Sequence, residues 1–275
     1  MANTLRYNNV IPGNIYYSNS AVQNVYYNNV KVWSASKPFA FTYTGAYETE
    51  GNLEGNFVIR FKTSGTLTIT SHGNNTNGTY DIFCVGGGAG GGSGAKTYIS
   101  PRGGCGGYTT TKKKINASLN TSYAIVIGSG GARGTVFSDE TEYYGGDGGS
   151  SSGLGNTANG ATTVKSLWGD RPDSKSYITG YGGSGGGSPA FTNSSGGNGG
   201  SDGSDGNKSD ANIASSYTYY LNGKGQGSTT REFGESSGKL YAGGGGGGGS
   251  GYYKSGTVMA GAAGGSGIVC IRNAR

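Results

Sequence analysis

The chain has 275 residues, 60 of them glycine, with 32% hydrophobic residues and a formal charge of +6 from 21 basic and 15 acidic side chains. So many positions without a side chain exclude an ordinary hydrophobic core along the whole length, and the entropic cost of ordering glycine points by composition toward disorder. The 21 Tyr, 8 Phe and 2 Trp argue against disorder, because rings bury enough surface to drive collapse, and five prolines without a third-position glycine register exclude collagen.

The first predicted element is a ten-residue repeat. Tyr7-Asn8-Asn9-Val10, Tyr17-Ser18-Asn19 and Tyr27-Asn28-Asn29-Val30 recur ten apart, Asn14-Ile15-Tyr16 falls in step with Asn24-Val25-Tyr26, and Val22 with Val32, before Trp33 closes the run. Tyrosine and β-branched residues bounded by Asn and Ser read as short strands separated by turns. A sheet this short cannot bury both its faces alone. Residues 1–37 therefore read as an attachment or oligomerisation module that meets other chains, or as a strand-rich extension lying on the main domain. The opening residues lack the basic region and apolar core of a secretory signal, and no stretch approaches the length of a membrane span. The chain is expected to be made in the cytoplasm and to insert in no membrane.

A second domain is predicted from residue 38 to 275. Its leading part, 38–85, alternates as half-buried strands at Phe39–Tyr43, Phe57–Phe61 and Thr66–Thr70. Three more strands adjoin glycine tracts: Tyr80–Val85 before Gly86, Tyr123–Ile127 before Gly128, and Gly267–Arg272 near the end. The tracts are short and recur from 86–88 to the unbroken run 243–249. Glycine costs about 1 kcal/mol per residue against alanine in a helix, so an extended polyproline II type conformation suits them better. Such helices make no internal hydrogen bonds, and without Cβ atoms they can approach closely and bond laterally. The predicted fold class is all-β and irregular: short strands framing a lattice of packed polyglycine II helices over 86–275, with essentially no α-helix.

Five junctions carry a family resemblance. They are Tyr80-Asp81-Ile82-Phe83-Cys84-Val85-Gly86-Gly87-Gly88, Tyr123-Ala124-Ile125-Val126-Ile127-Gly128-Ser129-Gly130-Gly131, Thr229-Thr230-Arg231-Glu232-Phe233-Gly234-Glu235, Leu240-Tyr241-Ala242 before seven glycines, and Gly264-Gly265-Ser266-Gly267-Ile268-Val269-Cys270-Ile271-Arg272. In this order they resemble the glycine-rich domains of phage and prophage tail proteins across roughly residues 39–275. The resemblance implies a polyglycine II sandwich of the kind seen in adhesins of T-even-type phages, whose distal loops contact the host receptor. A glycine-rich region of the anaplastic lymphoma kinase family is similar in construction, but the viral reading is preferred.

Between the tracts lie insertions of different composition: 96–102, 136–144, 166–181, 207–222 and 250–259, each containing tyrosine. Tyr, Ser, Gly and Asn with an occasional Trp or Arg is the vocabulary of antibody loops. The candidate receptor-binding residues are Tyr98, Tyr143, Tyr144, Trp168, Tyr177, Tyr181, Tyr217, Tyr219, Tyr220, Tyr252 and Tyr253, with Trp168 and the 217–220 cluster preferred. Their rings could stack on sugars while neighbouring Asp, Asn and Lys read hydroxyls; the competing reading is that many of them cap lattice ends. The expected partners are a bacterial surface glycan, a teichoic acid drawn by the positive charge, or an outer-surface protein, together with other virion tail proteins through residues 1–37 and a possible homotrimer.

Several chemistries are set aside. GxGxxG matches arise by chance in such tracts, and GESSGKL at 234–240 lacks phosphate-loop spacing. His72, the one histidine, has no triad or zinc partners in view and is expected in a solvated loop. Asp139 and Glu140 point to opposite faces if extended. Lys112, Lys113 and Lys114 read as a solvated loop or strand end, or as an anionic contact, and Arg102-Gly103-Gly104 alone is no nucleic-acid-binding tract. Cys84, Cys105 and Cys270 cannot staple a framework; Cys84 and Cys270 read as buried thiols. No catalytic residue, metal or cofactor is expected. The leading expectation is a non-enzymatic receptor-binding protein of a virion tail, ahead of a structural spacer or cap and of a glycan-degrading enzyme.

Overall fold

The computed structural model describes residues 15–17, 20–22, 24–27, 30–92, 103–134, 145–163, 180–187, 198–207, 222–243 and 262–275. In chain order the strands are β1 Ile15–Tyr17, β2 Ser20–Val22, β3 Asn24–Tyr27, β4 Val30–Ser34, β5 Phe39–Tyr43, β6 Tyr47–Gly51, β7 Phe57–Phe61, β8 Gly65–His72, β9 Thr79–Val85, β10 Thr109–Asn116, β11 Ser122–Ile125, β12 Ser151–Gly153, β13 Asn156–Ala158 and β14 Ile268–Asn273. The described residues contain no α-helix, and Glu232–Gly234 forms one 3-10 turn. The described part of the ten-residue repeat forms two antiparallel hairpins, β1 with β2 and β3 with β4.

A five-stranded sheet in the order β10-β9-β14-β7-β6 packs on a three-stranded sheet in the order β11-β8-β5. Period-two alternation sends Phe57, Ile59 and Phe61 of β7, Tyr80, Ile82 and Cys84 of β9, and Val269 and Ile271 of β14 into the core between them. Phe39, Leu67, Ile69 and Ile125 meet them from the smaller sheet. Burying such side chains contributes roughly 1.5–3 kcal/mol each, and among the described residues this is the largest apolar cluster.

The intervening residues of the large sheet face the other way. Phe83, Val85 and Cys270 are covered there by Phe233, with Tyr241 and Ala242 alongside. The segment is clamped by charge. Arg60 donates to both carboxylate oxygens of Glu232, and Arg272 joins Asp81 and Glu235 while its guanidinium lies 4.1 Å from the centre of the Phe233 ring. Phe233 has a φ of 56°, a left-handed conformation that a bulky residue rarely adopts, and its burial and the two arginine networks hold it there.

Two details depart from the sequence expectations, whereas the lysine cluster is solvated as expected. The strand predicted at 123–127 ends at Ile125, with Val126 making an isolated bridge to Ser152. His72 closes β8 in place of lying in a solvated loop: it is half-buried and its Nδ1 sits 2.8 Å from the Tyr80 hydroxyl. Lys112, Lys113 and Lys114 lie in an edge strand, where a bulge after Lys112 lets the Lys114 amide donate to Asp81.

Candidate functional site

The glycine tracts bond to one another with a period of three. Gly86 and Ala89 donate to the carbonyls of Tyr108 and Cys105, Gly87 and Gly90 to Gly149 and Gly146, and Gly88 and Gly91 to Gly265 and Ala262. Residues three apart thus face the same neighbour, which is the signature of a threefold extended helix whose donors point outward in three directions. The carbonyls of Gly88 and Gly91 accept from Gly131 and Gly134, and that of Gly87 from Ala161. Segment 86–92 is therefore enclosed by 103–108, 128–134, 145–149, 159–163 and 262–267, and backbone pairing takes the place of apolar burial.

Proximity is what demands glycine. A Cβ on Gly90 would lie 1.9 Å from the Ala132 carbonyl oxygen, one on Gly107 1.9 Å from that of Gly86, and one on Gly160 1.9 Å from that of Gly148. None of these three glycines has a left-handed φ, so the constraint is space and not backbone conformation. Where the lattice leaves a little room it holds small side chains: Ala89, Cys105 and Ala161 form a buried cluster, with the Cys105 sulfur accepting from the Gly186 amide.

The lattice is polar in its connections. At one end its segments run directly into strands: 86 follows β9, 108 precedes β10, 159 follows β13 and 267 precedes β14. At the other end they run toward the insertions. The residues flanking those insertions are bonded to one another: Gly91 donates to Ala262, Gly134 to Gly91, Gly90 to Gly146, Gly103 to Gly187, Asn207 to Asn198 and Gly223 to Gly186. These bonds set 91 beside 134 and 262, 90 beside 146, 103 beside 187, 186 beside 223 and 198 beside 207, and residues 91, 103, 134 and 262 stand six or more residues along the chain from the strands they adjoin.

Polar side chains fasten the lattice near these points. Asp147 accepts from the amide and hydroxyl of Thr163 at 2.7 and 3.0 Å. Asp205 accepts from Lys224 at 2.6 Å and from the Gly225 amide at 2.9 Å, which holds its carboxyl below the usual range. Asn222 donates to the Gly206 carbonyl.

Of the candidate binding residues, Tyr181 is described. Its backbone pairs with Thr162 and bridges to Lys224 on the flank of the lattice, and the residue is 47% exposed. Tyr98, Tyr143, Tyr144, Trp168, Tyr177, Tyr217, Tyr219, Tyr220, Tyr252 and Tyr253 lie outside the described residues. Sequence reading missed the clamp formed by Arg60, Glu232, Arg272 and Asp81, whose members are far apart in the chain.

No curated protein matches the chain. A family model described as a glycine-rich domain matches residues 62–274, the span that holds the lattice and the strands that frame it. The match covers most of the chain, and the protein therefore belongs to this glycine-rich domain family.

Proposed function

We propose that the protein is a non-enzymatic receptor-binding adhesin of a phage tail fibre or tail tip, which presents its tyrosine-rich insertions to a bacterial surface. The observation that supports this reading is that residues flanking different insertions are bonded to one another, Gly91 with Gly134 and Ala262, Gly90 with Gly146 and Gly103 with Gly187. A backbone-bonded frame holds those anchors at fixed spacing, so several short insertions can act as one composite surface without a large core beneath them. Tyrosine supplies contact area at low conformational cost, and stacking of its ring on a sugar with flanking Asp, Asn and Lys suits a cell-wall glycan or an anionic wall polymer. Tyr181 stands apart on the flank, so Trp168 and Tyr217, Tyr219 and Tyr220 are the preferred contacts. Residues 1–37 join the protein to its assembly.

The test is binding of the purified full-length protein to bacterial cells and to isolated wall glycan. Replacing Trp168, Tyr219 and Tyr220 together by alanine is expected to weaken binding at least tenfold with unchanged thermal stability. Unchanged binding by this variant removes the assignment of those residues. Absence of cell binding by the parent protein favours a structural spacer or cap, and release of glycan fragments from the wall favours an enzyme.

A further inference from the structure

The edges of the main domain are guarded against pairing with other chains. Strand β10 carries Lys112, Lys113, Lys114 and a bulge, β6 carries Glu48 and Glu50, β5 follows Pro38 and has a bulge after Ala40, and β11 is four residues long. Charges, prolines, bulges and short length are the usual means of blunting an exposed strand edge. The strands of the two N-terminal hairpins are short as well, and the β3–β4 pair has an irregularity after Val25, but charge and proline are nearly absent from them. Between residues 15 and 34 the only charged residue is Lys31 and there is no proline. Each hairpin is a two-stranded sheet by itself, so among the described residues each of its strands has one unpaired edge. A lone two-stranded hairpin is marginally stable in water, and unguarded edges of high β-propensity are templates for pairing.

We propose that residues 15–34 pair with the same segment of a second copy of this chain, the β1–β2 hairpin of one copy against the β3–β4 hairpin of the other and reciprocally. The ten-residue repeat makes the partners match: Asn14-Ile15-Tyr16 corresponds to Asn24-Val25-Tyr26, and Val22 to Val32. Among the described residues the two hairpins of one chain remain in different sheets, and one residue separates β2 from β3 in the sequence. Reciprocal pairing is self-complementary and closes on itself. It also sets β4, which carries Lys31, against a hairpin without charge, whereas joining two β3–β4 hairpins through β4 would bring two lysine-bearing strands together, which is unfavourable in a sheet. Tyr26, 60% exposed in the single chain, would be covered. This inference rests on the reading of residues 1–37 as the assembly module and names its partner.

The experiment is light scattering on the full-length protein and on two full-length variants that add the guards the main domain has. Tyr26→Lys places a charge on β3, and Val32→Pro acts where the register leaves β4 without a partner in β3. The parent is expected at twice 27.7 kDa and both variants at 27.7 kDa, with the melting of the main domain unchanged. A parent chain at 27.7 kDa, or variants that keep the parent's mass, overturns the proposal. Cell binding of the same samples separates it from the adhesin reading. Loss of multivalency lowers apparent affinity by roughly a hundredfold or more while single-site binding persists, whereas the Trp168, Tyr219 and Tyr220 variant loses binding at unchanged mass.

Discussion

Arg60 and Glu232, 172 residues apart in the chain, meet as a bidentate ion pair, Nε to Oε1 and Nη2 to Oε2 both at 2.6 Å, with side chains only 5% and 7% exposed. Through it β7 holds the segment that leads from the lattice back over the large sheet. Glu50 takes the remaining face of the guanidinium and Tyr241 donates its hydroxyl to Glu232, so the buried charges are satisfied.

Removing one partner should be far worse than removing both. Arg60→Met leaves an uncompensated buried carboxylate and is expected to cost about 3–5 kcal/mol in urea unfolding, whereas Arg60→Met with Glu232→Leu should recover most of the loss. Equal destabilisation by the single and the double change would show that the clamp's charges are not coupled.

The lattice separates glycines needed for space from those that are not. Gly90→Ala drives a Cβ to 1.9 Å from a carbonyl oxygen and should lower stability by about 3 kcal/mol or prevent folding. A Cβ on Gly265 meets nothing within 4 Å, and its φ is not left-handed. Gly265→Ala should be neutral or stabilising by about 0.4–1 kcal/mol, through the entropy of the unfolded chain. Thermal melts of the two variants compare them directly.

Amide exchange tests the backbone frame. Gly87, Gly88, Ala89, Gly90 and Gly91 all donate to lattice carbonyls, so their protection should approach that of the central strands β9 and β14, although none lies in a strand. Rapid exchange at these amides, with strands protected, would mean that the lattice opens independently of the sheets.

All three cysteines are buried and free, and burial pushes the Cys84 thiol up to about 12 and that of Cys270 well above its ordinary value. The described thiols should resist a water-soluble thiol reagent at pH 8 until the protein is unfolded in denaturant.

Acid should loosen the surface fastenings before the core. The Arg272 guanidinium lowers the Glu235 carboxyl, and Lys224 with the Gly225 amide lowers that of Asp205. A carboxyl depressed in the folded state contributes stability that is complete above its unfolded value and lost as pH falls through its folded one. The urea midpoint should therefore hold from pH 7 to about 5 and decline below about pH 4, a decline that Glu235→Gln reduces.

Legibility in the sequence followed the range of the interaction. Alternation at Phe57–Phe61 and Tyr80–Val85 announced buried strands, because neighbouring residues decide which face of a sheet a side chain takes. Recurrent tracts announced an extended glycine lattice, since helix propensity excludes the alternative locally. His72 was misjudged because its partner, Tyr80, is set by the pairing of strands and not by the turn that follows it.

By itself, then, the sequence determined the all-β class, the hairpin repeat and the tracts that must avoid side chains. Only the tertiary structure decided that Gly86 and Ala89 share one neighbour while Gly87 and Gly90 share another, that residues flanking different insertions bond to one another, and that Arg60 finds Glu232. The physical reason is that these pairings join residues far apart in sequence, and glycine, having no side chain, leaves no local mark of which carbonyl its amide will meet.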